Sequence, residues 1–256
     1  MIGSNLHRVV LTHRDRLLLE YAAEGKLLDR EQIQRLAGFG SVNRANDRLL
    51  RLHSAGLLHR YFLGTVAGGR KSIYAISPKG AAAIGAEKFW KFQRAEDELL
   101  VGEAFVEHQL AVNWCWISAK FVPNSKLIRF VRFNEPIAPA IQLRPDGYAE
   151  LEFSGGIQPV FFEIDLGNES SPVWDRKIEL YLKLATTGEF ARIFQQPRFK
   201  VAVVCTSERR LHNLRRIVRK HTLRVFYFSL LEIINHEGLS APHWLRPEGD
   251  AQETLV

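Results

Sequence analysis

The sequence predicts a two-domain chain, a small α+β module followed by a larger α/β sheet domain. Three observations predict it. The length of 256 residues is that of one large domain or two ordinary ones. The formal charge of +7 is unevenly placed: residues 1–95 carry 16 Lys/Arg against 7 Asp/Glu, and the remainder 19 against 21. The pattern also changes along the chain. Three short helical patterns and a hairpin give way to a long helix and then to strands alternating with helices.

Composition excludes several classes. Hydrophobic residues make up 46% and charged residues 25%, enough for ordinary cores. No run of about 18 apolar residues exists that would predict a transmembrane helix. Met1 to Arg8 lacks the apolar core of a signal peptide, so the expected location is cytoplasmic, with no membrane partner. Cys115 and Cys205 cannot build a disulfide framework or a four-thiolate zinc site, and both sit in apolar runs as reduced core thiols.

Residues 1–88 read as the first domain. Thr12 caps a helix whose apolar residues Leu17, Leu18, Tyr21 and Ala22 recur at helical spacing, and Gly25 ends it. Asp29-Arg30-Glu31-Gln32 is a capping box opening a short helix through Leu36 and Ala37. After the Gly38-Phe39-Gly40 turn, Ser41 caps a third helix that runs to about Ser54. Val42, Ala45, Leu49 and Leu52 form its buried stripe, while Arg44, Arg48 and Arg51 share another face near Asn43 and Asp47. Strands over Leu57–Leu63 and Lys71–Ile76 then flank a turn, Ala67-Gly68-Gly69-Arg70, and Ser77-Pro78 opens a further helix.

Three helices and a hairpin with a basic tip form the order of a winged helix-turn-helix, and the hairpin sequence resembles the wing of many bacterial winged-helix proteins. Arginine and asparagine on the third helix suit base edges and phosphates of the major groove. The candidate DNA contacts are Asn43, Arg44, Arg48, Arg51, Arg70 and Lys71, with double-stranded DNA as partner. The other reading of these arginines is a solvated face on a protein-binding module.

Residues 89–120 read as a link, with Phe89-Trp90-Lys91-Phe92 at the junction and a helix from Glu96 to about Lys120. His108 within it is a candidate accessory site residue or a core histidine. Residues 121–240 form the second domain. Strands are expected over Leu127–Phe133, Leu143–Phe153 and Pro159–Leu166, then a helix over Val173–Thr186 and a strand over Lys200–Thr206. A helix over Leu211–Lys220 and a strand over Leu223–Phe228 follow. Residues 241–256 read as a tail, its last ten residues flexible, with His243-Trp244-Leu245 able to dock.

Pro145-Asp146 on the second strand and Glu163-Ile164-Asp165 on the third make this order resemble the restriction-endonuclease-like PD-(D/E)xK core. The resemblance implies that Asp146 and Glu163 hold Mg²⁺, with Mn²⁺ as a substitute; such ions bind through one or two carboxylates plus phosphate and water. Strand alternation places Glu163 and Asp165 on one face, so Asp165 joins them as a candidate metal ligand. It also stands where that family carries its lysine, a departure that leaves activity open. Lys177, beside Arg176 on the following helix, can supply the cation from another position. The other reading pairs Asp165 with Lys177 or Arg176 and binds no metal.

The ordered set "LRPDGY", "FFEIDLGNES" and "WDRKIELYLKL", preceded by "EHQLAVN" and a basic first domain, resembles the replication-relaxation family of bacterial plasmids and mobile elements. It spans about residues 10–235 and is carried by Asp146, Glu163, Asp165, Lys177 and Tyr181. That resemblance implies a DNA-binding protein of replication and DNA relaxation, with site-specific metal-dependent nicking near an origin. It also implies replication or conjugation proteins, or a second copy of the chain, as partners. No His-x-His or three-histidine cluster supports the tyrosine-nucleophile class of relaxases. Tyr181, one helical turn after Lys177, either approaches a phosphate or metal or packs in the core. Arg209, Arg210, Arg215, Arg216, Arg219 and Lys220 form a second basic stretch, either a DNA-backbone contact or a solvated face. The rival reading of the whole is a non-enzymatic regulator whose nuclease-like domain serves dimerisation or partner recruitment.

Overall fold

The computed structural model of the protein describes residues 10–64, 69–87, 89 and 103–256. It falls into two compact units, Met1–Asn113 and Trp114–Val256. The expected helix start at Glu96, most of the Phe89–Phe92 junction and most of the hairpin turn lie outside the described residues.

In the first unit the described elements are α1 (His13–Gly25), β1 (Leu28–Asp29), α2 (Arg30–Ala37), α3 (Val42–Ser54), β2 (Leu58–Gly64), β3 (Arg70–Ile76), α4 (Pro78–Ile84) and the first part of α5 (Glu103–Lys120). Local chemistry sets their starts. Thr12 and Asp15 cap α1 reciprocally, Asp29 and Gln32 do the same for α2, and the Ser41 hydroxyl accepts from the Arg44 amide at the start of α3. The strands form one antiparallel sheet in the order β1-β3-β2. β1 was not foreseen, because two residues cannot display a period.

Ala45, Leu49 and Leu52 are buried as their spacing requires, but Val42 is 42% exposed and lies outside the stripe. Helical side chains lean toward the N-terminus, so one at the first helical position points past the end of the packed face. Gly80 of α4 sits against β2, where a Cβ would come 2.1 Å from the Leu57 carbonyl oxygen. The first part of α5 completes this core through Val106 and Leu110. The buried Asn113 amide donates to the carbonyls of Gly25 and Leu27 at 2.9 and 2.5 Å, satisfying the turn after α1.

The second unit begins with the rest of α5. Its sheet strands are β4 (Lys126–Val131), β5 (Gly147–Phe153), β6 (Gly156–Asp165), β7 (Lys200–Cys205), β8 (Phe226–Leu230), β9 (Trp244–Leu245) and β10 (Gln252–Glu253). Between them lie α6 (Ser171–Thr186), α7 (Glu189–Phe194), α8 (Glu208–Arg219) and α9 (Leu231–Glu237). The seven strands order β10-β9-β8-β7-β6-β5-β4, with β6, β7 and β8 parallel and the flanking pairs antiparallel. Alternation on β6 sends Phe161, Glu163 and Asp165 toward α6. The Trp174, Ile178, Tyr181 and Leu184 stripe of α6 covers that face, with Phe190 and Phe194 of the unforeseen α7. Phe162 faces the other way and stacks on Phe130.

The last residues differ from expectation. They are not a flexible tail: β9 and β10 extend the sheet, Trp244 and Leu255 are fully buried, and the Lys200 ammonium donates to the Leu255 carbonyl at 2.6 Å. Arg215 of α8, also buried, donates to the carbonyls of Arg246 and Gly249 and pairs with Asp250. Two apolar anchors eleven residues apart hold the segment without any periodicity in its sequence. Trp244→Ala is expected to lower stability by about 3–5 kcal/mol, as for other buried tryptophans. A urea midpoint equal to wild type would contradict the docked tail.

Candidate functional site

Glu163 has no exposed surface and lies near the C-terminal end of β6. Its Oε1 accepts from the Tyr181 hydroxyl at 2.6 Å and its Oε2 from the Lys177 ammonium at 2.8 Å. The β5–β6 register ends where Gly147 pairs with Phe162, and Asp146, the residue before β5, lies beside the Phe162–Ile164 stretch of β6. The Asp146 amide donates to the Phe162 carbonyl, and Asp146 Oδ2 accepts from the Ile164 amide at 2.7 Å. Gly147 permits this entry to β5, since a Cβ there would meet the Phe130 ring at 2.9 Å.

Burial pushes the Glu163 carboxyl up to about 7, and the charge of Asp146 adds to the rise; Lys177 and Tyr181 pull it back. Burial also raises the Tyr181 phenol, as does the neighbouring Glu163 charge. Burial by itself would lower the Lys177 ammonium. Glu163 and Glu169 reverse that and hold it above its ordinary value, so it stays charged. Lys177 also donates to both Glu169 oxygens at 2.7 and 2.8 Å. Glu169 is thus a member of the group that sequence reasoning missed. Its place between a strand and the helix carrying Lys177 was the available signal.

Asp165 shares a strand face with Glu163 but leads a separate life. Its Oδ2 accepts from the Trp174 indole at 2.7 Å, and Arg210 of α8 grips both of its oxygens at 2.7 Å. The Gly167 amide donates to Oδ1 at 2.7 Å. Burial would raise this carboxyl, but Arg210, Trp174 and Gly167 together hold it below its ordinary value. Asp165 is thus paired with Arg210, and not with Lys177 or Arg176. A bidentate guanidinium fork already consumes its charge. The described residues include no group of three or more His, Cys, Asp or Glu suited to a metal ion. Asp146 and Glu163 still fit a hard divalent ion, because Mg²⁺ needs only one or two carboxylates when phosphate and water complete its shell.

The candidate DNA contacts divide by partner. Asn43, Arg44 and Arg51 on α3 are exposed, and so is Arg70 on β3. Arg44 and Arg51 line a groove of about 740 Å³ with His13, Arg14 and Phe39, and the Arg14 guanidinium lies 5.1 Å from the centre of the Phe39 ring. Arg14 was not singled out from the sequence, because it lies on α1, away from the arginine-bearing helix. Arg48 lines the same groove, but it ion-pairs with the buried Asp15 of the α1 cap. Lys71 pairs with the buried Asp29 at 2.5 Å. Both were expected to be DNA contacts, and both neutralise buried carboxylates, with side chains that remain 21% and 38% exposed. His108 falls in the first unit, half-buried on α5.

Two carboxylates with opposite shifts give opposite pH dependence. Folding moves Glu163 from 4.5 to about 7, so its contribution to stability is greatest below 4.5 and declines as pH rises toward 7. Asp165 contributes above the ordinary carboxylate range and loses that contribution as pH falls through it. Glu163→Gln should therefore flatten the decline toward neutral pH, while Asp165→Asn should remove part of the acid-side loss. Urea denaturation from about pH 3 to 8 checks both, and a Glu163→Gln profile with the wild-type slope would contradict the first.

Comparison with solved structures finds the restriction endonuclease FokI at 14% identity, covering 87% of this chain and 43% of that one, with a TM-score of 0.29. FokI bound to DNA matches at 14% identity over 85% of this chain and 42% of that one, with the same TM-score. The chain thus spans less than half the length of these structures. No curated protein matches it. The replication-relaxation family model matches residues 19–195, more than half of the sequence, and the chain belongs to that family.

Proposed function

We propose that the chain binds duplex DNA through its first unit and nicks it, with a divalent metal ion, at Asp146 and Glu163 of the second. The observation that carries this reading is Asp146, bonded to the Ile164 amide next to Glu163, with the Lys177 ammonium 2.8 Å from Glu163. Two carboxylates and a lysine in this relation are the parts of a PD-(D/E)xK site, with the lysine supplied by α6 instead of the strand. The family description, replication-relaxation, supports a role in DNA processing.

Asp146 and Glu163 would hold the ion. The chemistry it supplies when bound is Lewis-acid polarisation of the scissile phosphate and activation of water. Lys177 sets a fixed positive charge beside the place where negative charge builds on the phosphate. Tyr181 orients Glu163 by its hydrogen bond, and the Asp165–Arg210 clamp fixes the end of β6 that carries the group. In the first unit, the order of helices followed by a hairpin supports a winged helix-turn-helix, with α3 in the major groove. Asn43, Arg44, Arg51 and Arg70 remain as contacts, and Arg14 joins them. Arg48 and Lys71 act indirectly, by holding the elements that present the others.

A second reading is favoured by the occupied oxygens of Glu163, both of which already accept hydrogen bonds. In it the second unit is a scaffold, and the protein binds an origin or operator without cutting.

The deciding experiment uses supercoiled plasmid carrying the chain's own genetic neighbourhood, with Mg²⁺, Mn²⁺ or EDTA. Metal-dependent conversion to open circle, abolished in Glu163→Ala, is expected; DNA that is shifted but never cut would establish the scaffold. Replacing Arg44 and Arg51 together by alanine should weaken duplex binding about tenfold at moderate salt and reduce its salt dependence. Unchanged binding would overturn the assignment of α3.

A further inference from the structure

The helix α8 carries five arginines, and their partners sort them. Arg210 is committed to Asp165, buried Arg215 to the C-terminal segment, and Arg219 approaches Glu248 at 3.5 Å. Arg209 and Arg216 have no carboxylate partner among the described residues; Arg216 donates only to the neutral Asn213 amide, at 2.8 Å. Both line one open cleft of about 880 Å³, together with Gly167, Ser207, His212 and Asn213. Arg209, His212 and Arg216 follow a 3-4 spacing and so share a helix face.

We infer that this cleft is a second nucleic-acid contact, in which Arg209 and Arg216 take successive phosphates of a DNA strand. Seven residues of helix separate them by about 10 Å along its axis, within reach of neighbouring phosphates for side chains of this length. The second unit is only slightly basic, since residues 114–256 hold 19 Lys/Arg against 16 Asp/Glu and α8 alone supplies five of the bases. Unpaired guanidinium groups concentrated in one cleft of such a unit mark a local anion site. The lining contains no carboxylate, whereas Asp15 and Asp47 lie in the groove of the first unit. Asp165, at the end of β6, connects the cleft to the candidate active site: Arg210 both lines the cleft and clamps Asp165. A strand held there would be positioned by the element that carries Glu163.

That the anion is DNA rests on the function proposed above; the charge and shape of the cleft do not. The test is binding to a fluorescein-labelled duplex in EDTA, so nicking plays no part. The full chain, the variant Arg209→Gln/Arg216→Gln and the control Arg219→Gln are compared by anisotropy across about 50–200 mM salt. Loss of two phosphate contacts should weaken binding about tenfold and reduce the slope of log K against log salt by about 1.8. Arg219→Gln should leave the slope at the wild-type value, and thermal midpoints should match wild type in both variants. An unchanged slope in the double variant, with wild-type binding intact, overturns the cleft and leaves the proposed function standing. A wild type that binds no DNA overturns both. If inorganic phosphate alone raises the thermal midpoint of wild type but not of the double variant, and the DNA slope is unchanged, the cleft takes a small anion and the strand contact is wrong.

Discussion

A carboxylate with no exposed surface, set in the middle of a seven-stranded sheet, governs the second unit. Leaving Glu163 there without partners would cost several kcal/mol, so the surrounding structure has to answer it. Tyr181 and Lys177 do so from one face of α6, which fixes the rotation of that helix over the sheet. Lys177 in turn binds Glu169, and the Glu169 carbonyl accepts from Arg210 at 2.5 Å. Arg210 then closes on Asp165. A chain of charge-assisted bonds thus ties β6, α6 and α8 together around one buried acid.

The same network separates two carboxylates that alternation places on one strand face. Glu163 is buried beside the charge of Asp146, and its proton affinity rises in spite of the lysine that it shares with Glu169. Asp165 faces a bidentate arginine, and its proton affinity falls. Environments that push neighbouring acids apart in this way are how a site assigns different tasks to chemically similar groups. Glu163 retains the strain of burial and suits a role that charge or metal can relieve. Asp165 is satisfied and serves to hold the architecture.

The first unit shows the same economy with arginine. Asp15 completes the α1 cap and is buried by doing so, and Arg48 answers it. Asp29 caps α2 in the same manner and draws Lys71. Cations on a shared face are therefore not equivalent. Those nearest a buried cap are paired with it, while Arg44 and Arg51, about one turn from Arg48, stay exposed.

The sequence by itself determined the element types and most of their order. Caps, glycine stops, the 3-4 spacing of α3 and α6, and the apolar run of β7 are local signals, each legible within a few residues. The candidate residues Glu163, Lys177 and Tyr181 were legible as a set because strand and helix periods place them on the facing surfaces of β6 and α6, and Asp146 was legible from its Pro-Asp pair. Only the tertiary structure decided who pairs with whom. Arg48 looked like its neighbours Arg44 and Arg51 until folding brought Asp15, 33 positions away in sequence, against it. Asp165 looked like a partner of Glu163 until Arg210, 45 positions on, claimed it. Glu169, the short α7, and the docking of Trp244 and Leu255 carry no period at all. Periodicity reports which face a side chain occupies. The identity of the group across from it is set by long-range packing, which no local window of sequence contains.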